Sequence, residues 1–109
     1  MAPSSQKKRP PKPRKVTDES MIVRSKSGHT GIIREEVWAN AKHEVVKYNL
    51  AYINFSLCQT DDGRVLGYDN AHGYHERHSM GTAEATTFST YAEKSARFYA
   101  EVKKLREAS

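Results

Sequence analysis

The chain has 109 residues, enough for one domain, and a net charge of +5. Its single cysteine, Cys58, excludes an internal disulfide framework and a cysteine-based zinc site, and we expect it on a half-buried strand. No apolar run approaches the ~18 residues needed to span a membrane, and no apolar segment follows the charged N-terminus as in a secretory signal. We therefore expect a cytoplasmic protein with no membrane partner.

The positive charge is concentrated at the N-terminus. Residues 1–17 hold six of the 18 Lys and Arg and no acid, so residues 18–109 hold 12 Lys and Arg against 13 Asp and Glu. All four prolines lie within the first 13 residues. A segment this charged and this poor in apolar side chains cannot bury enough surface to offset its ordering entropy. We predict a disordered basic tail over 1–17, either merely solvated or holding nucleic acid electrostatically, followed by one domain over 18–109.

The central part of the chain has the pattern of β-strands. Residues 18–42 favour strands, although their spacing fits neither period cleanly. In residues 44–58 apolar and polar side chains alternate after Leu50, and apolar groups on both faces before it predict a central strand covered twice. The Asp62-Gly63 step then predicts a two-residue hairpin to a strand over 64–70. In that register Leu57 pairs with Tyr68 on the apolar face, whereas a three-residue loop with a bulge would reverse the faces.

The C-terminal segment has the pattern of a helix. Residues 90–107 begin with Thr90 and Glu93 at the spacing of a capping box. One helical stripe is apolar and consists of Tyr91, Phe98, Val102 and Leu105. The sequence therefore predicts an α+β fold, in which a small antiparallel β-sheet is packed against a C-terminal α-helix.

A polar segment after the predicted hairpin is the candidate for chemistry. Residues 67–78 hold three of the five histidines, His72, His75 and His78, beside Asp69, Glu76 and Arg77. Two imidazoles can supply a general base and a general acid near neutral pH, and a guanidinium can bind phosphate oxygens. These groups suffice for RNA cleavage without a metal: a base deprotonates the 2′-hydroxyl, the 2′-oxygen attacks phosphorus, and an acid protonates the leaving 5′-oxygen.

Two other interpretations use the same residues. The His-x2-His-x2-His spacing could contribute to a metal site. On a strand, however, a step of three places His75 on the face opposite His72 and His78, and no pair of standard zinc spacing completes a ligand set. The segment could also be a polar loop whose histidines are hydrogen-bonded or solvated.

Three stretches of the chain resemble the TumE-like toxin family of type II toxin–antitoxin systems. They are VVKYNLAYI (Val45 to Ile53), GRVLGYDNAHG (Gly63 to Gly73) and HERH (His75 to His78). The resemblance implies a toxin opposed by a partner antitoxin protein, with RNA as the target.

We combine the chemistry and the resemblance into one hypothesis, a metal-independent endoribonuclease with no cofactor. His75 and His78 are its predicted acid–base pair, Arg77 its phosphate ligand, and Tyr68 and Asp69 its positioning groups. We assign substrate binding to His72, Asn70 and Arg64. The alternative is a non-enzymatic module that binds nucleic acid or a protein, using the charged tail and a face of the sheet.

Overall fold

A computed structural model describes residues 11–109. The elements in chain order are β1 (Arg14–Arg24), β2 (Thr30–Ala39), β3 (Val45–Ile53), β4 (Arg64–Asp69), β5 (Glu76–Ser79), β6 (Thr82–Ala85) and α1 (Tyr91–Ala108). The strands form one sheet whose order is the chain order, and every neighbouring pair is antiparallel. The predicted class, a small antiparallel sheet with a C-terminal helix, is confirmed.

The helix packs on one face of the sheet, which we call the helix face. The most deeply buried side chains there are at most 1% exposed and come from the two central strands and α1: Tyr48, Leu50, Tyr52, Leu66, Tyr68, Phe98 and Val102. Thr90 caps the helix as predicted, because its Oγ1 accepts a hydrogen bond from the Glu93 N–H. The Glu93 carboxylate accepts from Ser89. The opposite surface of the sheet, which we call the open face, carries mostly polar side chains.

The predicted register between the two central strands is wrong. Strand β3 ends at Ile53, and Leu50, not Leu57, pairs with Tyr68. The strand ends because Asn54 begins a turn: its carbonyl accepts hydrogen bonds from the Leu57 and Cys58 N–H groups. The connection to β4 therefore spans residues 54–63, and Leu57 is only partly buried against the core.

A tight turn closes this connection. Asp61, Asp62 and Gly63 all have positive φ, and they form a single 3-10 turn where the sequence predicts a two-residue hairpin loop. A side chain at position 63 would meet the Phe55 ring at 2.9 Å in addition to the strain of its φ of +81°. Glycine is therefore required there. Cys58 is buried, as part of this loop and not of a strand.

The remaining differences concern the edges of the fold. Strand β1 begins at Arg14, and Lys15 Nζ lies 2.7 Å from Glu36 Oε2, so residues 14–17 belong to the sheet and not to a disordered tail. Residues 1–10 of the predicted tail lie outside the described residues. The strands expected in residues 18–42 are present. The prediction that β3 is covered on both faces is wrong at the start of the strand, where Val45 and Val46 are 38% and 39% exposed.

Within residues 11–109, no helix combines the length and apolar character that crossing a membrane requires.

Candidate functional site

Strand alternation divides the predicted site between the two faces of the sheet. Successive side chains of a strand point to opposite faces. On β5, Arg77 therefore lies on the helix face and His78 on the open face. On β4, Tyr68 lies on the helix face and Asp69 on the open face. Residues that are adjacent in sequence thus belong to two different environments.

Five side chains meet on the open face, and we call them the open-face cluster: Arg64, Asp69, His72, Glu76 and His78. Asp69 and Glu76 are paired directly across β4 and β5, and each is 6% exposed. His78 Nε2 lies 2.8 Å from Asp69 Oδ2, and His72 Nδ1 lies 2.8 Å from Glu76 Oε1. Each carboxylate of the pair is therefore accompanied by an imidazole.

Arg64 fixes the orientation of the His78 ring. One guanidinium nitrogen lies 3.0 Å from His78 Nδ1, another lies 3.4 Å from Asp69 Oδ2, and Nε donates to Asp61 at 2.8 Å. Since arginine can only donate, His78 Nδ1 accepts and the ring proton is on Nε2. Nε2 is buried next to Asp69 Oδ2 but forms no hydrogen bond with it or with any other group among residues 11–109.

His72 is the accessible imidazole of the cluster. Its side chain is 71% exposed, and its hydrogen bond to Glu76 raises its pKa above the ordinary value of 6.5. The same contact, with a second hydrogen bond from the Tyr74 hydroxyl, lowers the pKa of Glu76. His72 therefore keeps its proton to a higher pH than an ordinary histidine does, in a position open to a ligand.

A divalent cation is a chemical alternative for this cluster. The ligand atoms of Asp69, Glu76 and His78 lie within 4.8 Å of one another, which is close enough to surround an ion. A histidine that binds a metal through one nitrogen normally donates from the other. Here His78 Nδ1 accepts a hydrogen bond from Arg64, so His78 Nε2 keeps its proton and has no lone pair to offer a metal. The Arg64 guanidinium also already supplies a positive charge beside the carboxylates. In this arrangement the residues do not fit a metal.

The structure does not bring His75 together with His78. The His75 ring stacks on Phe88 with centroids 4.1 Å apart, and its Nδ1 lies 2.8 Å from the Tyr48 hydroxyl. Burial lowers the pKa of His75. These contacts lie on the helix face, near the start of α1, so His75 supports the packing of the loop before the helix.

Arg77 and Tyr68 connect the sheet to the helix. Arg77 donates to the Tyr68 hydroxyl at 3.1 Å and to Glu101 Oε2 at 2.7 Å, and the Tyr68 hydroxyl donates to the other oxygen of Glu101. Lys94 lies over the Tyr68 ring, 4.6 Å from its centroid. With these partners, Arg77 and Tyr68 do not reach the open-face cluster.

Asn70 holds two strands together. Its Oδ1 accepts from the Tyr48 N–H and its Nδ2 donates to the Val46 carbonyl, both at 3.0 Å. Glu76 lies in the segment singled out from the sequence but had no predicted role there, and Asp61 was predicted only as part of a turn. Glu76 could be found only by predicting the hairpin of β4 and β5, because that pairing is what places it beside Asp69.

The fold and the cluster define a small α+β protein whose six-stranded meander carries two imidazole–carboxylate pairs and an arginine on its uncovered face. The chain matches the family described as Toxin TumE over residues 7–106. Because the match covers nearly the whole chain, the protein belongs to the TumE family of toxins, and membership of that family implies an antitoxin partner. Neither the curated proteins nor the solved structures contain a match to this chain.

Proposed function

We propose that this toxin is a metal-independent endoribonuclease and that the open-face cluster is its active site. The observation that carries the proposal is the placement of His72 and His78 on one face of the sheet, each 2.8 Å from a carboxylate, with Arg64 beside them. In the reaction the 2′-hydroxyl of a ribose attacks the adjacent phosphodiester. Two imidazoles can serve as its general base and general acid, and a guanidinium can bind the phosphate.

In the proposed reaction His78 is the general base. Arg64 moves from His78 Nδ1 to the scissile phosphate, which frees the Nδ1 lone pair to accept the 2′-hydroxyl proton. The imidazolium that forms keeps its second proton on Nε2, where the negative charge of Asp69 stabilises it. A carboxylate beside the far nitrogen of a catalytic histidine has this role in serine proteases.

His72 is the general acid of the same reaction. The 2′-oxygen forms a bond to phosphorus, the bond to the 5′-oxygen breaks, and His72 donates its proton to that leaving oxygen. Arg64 stabilises the charge that develops on the phosphoryl oxygens. The products are a 2′,3′-cyclic phosphate and a 5′-hydroxyl end, so the proton lost at one oxygen is replaced at the other.

Cleavage of a labelled single-stranded RNA by purified protein in EDTA tests the proposal. We expect His72→Ala and His78→Ala each to lower the rate by about 10²–10⁴, the usual contribution of a general acid or base. His43→Ala is the matched control, because His43 lies in the exposed turn between β2 and β3. Folded cluster variants that cleave like the wild type, or wild-type cleavage that EDTA abolishes, would contradict the proposal.

We also propose that a cognate antitoxin protein neutralises this activity. The support is membership of a toxin family. Expression of the chain alone should arrest growth, and co-expression of a small adjacent co-oriented gene should relieve the arrest. If the wild type is harmless and binds RNA without cleaving it, the protein is instead a binding module.

A further inference from the structure

A tryptophan lies between two lysines on the open face. Strand pairing places Lys15, Trp38 and Lys47 in one row across β1, β2 and β3. Lys47 Nζ lies 4.6 Å from the centroid of the indole ring and Lys15 Nζ lies 5.1 Å from it. Trp38 is partly exposed and is the only tryptophan of the chain.

This row lies beside the open-face cluster. Lys47 precedes Asn49 by two residues on β3, so both point to the open face, and Asn49 pairs with Asp69 of the cluster. The ordinary spacings of a sheet put Trp38 roughly 12 Å from Asp69, counted as two strands across and two residues along. A short extended segment of nucleic acid can therefore contact both at once.

The two lysines differ in how firmly they are held. Lys15 Nζ forms ion pairs with Glu36 at 2.7 Å and Asp18 at 3.2 Å, and hydrogen bonding to Glu36 raises its pKa. Lys47 is exposed and forms no ion pair with any carboxylate of residues 11–109. Lys47 can thus leave the indole for a phosphate at little cost, whereas Lys15 remains as the cationic support of the ring.

We propose that Trp38 and Lys47 form a nucleotide subsite, in which an unpaired base stacks on the indole and Lys47 binds an adjacent phosphate. The proposal rests on the proposed function and specifies its substrate as single-stranded RNA. A base has a free face for an aromatic side chain only when it is unstacked, and such stacking is tolerant of sequence. The partly exposed indole of Trp38 can stack on such a base, and the ammonium of Lys47, unpaired within the described part of the chain, can bind the adjacent phosphate.

Fluorescence of the single tryptophan tests the subsite directly. The probe is a single-stranded oligoribonucleotide, titrated at low salt into a His78→Ala variant so that the RNA stays intact. We expect saturable quenching that a duplex of the same sequence does not produce. Lys47→Gln should weaken binding and reduce its salt dependence by the contribution of one phosphate contact. Lys42→Gln is the control, because it removes the same charge from an exposed lysine in the turn between β2 and β3. This variant should bind like the parent.

Substitution of the ring separates stacking from structure. We expect Trp38→Leu to weaken binding of the labelled RNA by about 5- to 150-fold and Trp38→Phe to retain most of the affinity. With wild-type His78, Trp38→Leu should raise KM for cleavage and leave kcat nearly unchanged. Circular dichroism and thermal unfolding establish that each variant is folded.

The possible outcomes distinguish this inference from the proposed function. If the wild type cleaves RNA but the RNA does not quench Trp38, the subsite is overturned and the nuclease proposal stands. The same holds if the wild type cleaves RNA and folded Trp38→Leu binds it as tightly as the parent. Quenching that depends on Trp38, without any cleavage by the wild type, supports the subsite and overturns the nuclease proposal. Equal quenching by duplex and single strand contradicts the stacking of an unpaired base.

Discussion

His75 and His78 lie on opposite faces of the sheet although only two residues separate them. His75 is stacked on Phe88 against the helix side, and His78 faces Asp69 on the open side. We therefore propose different roles for them, because rings on opposite faces of the sheet do not lie on one surface. The acid–base pair consistent with the geometry is His72 with His78, and His75 becomes a test of the distinction between packing and catalysis.

His75→Ala should lower stability without abolishing cleavage. The substitution removes a ring stacked on Phe88 and leaves the Tyr48 hydroxyl without its partner at 2.8 Å, so we expect a loss of about 1–3 kcal/mol. Chemical denaturation gives the free energy of unfolding, and RNA cleavage is measured at a temperature where the variant is folded. A fully stable variant with a 10²-fold lower rate would return His75 to the catalytic set.

Glu76→Gln should shift the pH profile of cleavage. Glu76 raises the pKa of His72, so the general acid remains protonated to a higher pH than an ordinary histidine. The wild-type rate should fall as the pH rises through the pKa of His72, which the hydrogen bond to Glu76 raises. In Glu76→Gln this alkaline limb should move to lower pH because the carboxylate is gone. An unmoved limb would show that another group carries the proton.

Stability should decrease between pH 7 and pH 5 in a way that depends on His75. Burial lowers the pKa of His75, so below pH 6.5 the unfolded chain binds a proton that the folded chain resists. The contribution is fully present above the unfolded pKa and is lost as the pH falls toward the folded value. Thermal midpoints across this range should fall less steeply in His75→Phe, and parallel curves would assign the decrease to other groups.

Leu50→Ala should destabilise the fold far more than Leu57→Ala. Leu50 is completely buried opposite Tyr68, so its truncation should cost about 2–5 kcal/mol. Leu57 is only partly buried in the loop after β3 and should cost less. Urea denaturation of both variants measures the difference. Equal costs, or a larger cost at Leu57, would favour the register in which Leu57 pairs with Tyr68.

Deletion of the N-terminus should have an effect that depends on its end point. Removing residues 1–17 takes away the start of β1 and the ion pairs of Lys15 with Glu36 and Asp18. Removing residues 1–10 leaves this strand intact. We expect a lower thermal midpoint for the longer deletion and a wild-type value for the shorter one. Identical midpoints would place residues 11–17 outside the cooperative unit.

The sequence was informative where a pattern has a single local cause. The apolar stripe of the helix and the capping Thr90 depend on near neighbours, and both are present. The strand predicted over residues 44–58 is present only over Val45–Ile53, and its predicted alternation is wrong because Tyr52, assigned to the polar side, is completely buried. The register of β3 and β4 was not predictable in this way. It depends on Asn54 ending the strand and on positive φ at Asp61 and Asp62, which alternation of apolar residues does not encode.

Of the eight residues that the sequence analysis assigned to the site, only Arg64, Asp69, His72 and His78 lie in the open-face cluster. His72, His78 and Asp69 of the cluster come from residues 67–78, the segment that the sequence singled out, and Arg64 joins them from the start of β4. Which histidines share a face depends on where β5 begins, and residues 71–88 lack the periodicity that would locate it. Only the pairing of Asp69 with Glu76 shows that Glu76 lies on the open face and Arg77 on the helix face.

The order of the strands has a consequence for how the chain acquires its structure. Each strand pairs with its neighbour in sequence, so the sheet forms through short loops whose closure costs little entropy. The helix follows all six strands, and its Phe98 packs edge-on against Tyr68 in the core of the helix face. A nascent chain that has emerged only as far as residue 90 therefore exposes this apolar face before α1 can cover it. Docking of α1 is the step that buries this surface, and exposed apolar surface is what makes a partly folded chain prone to aggregation.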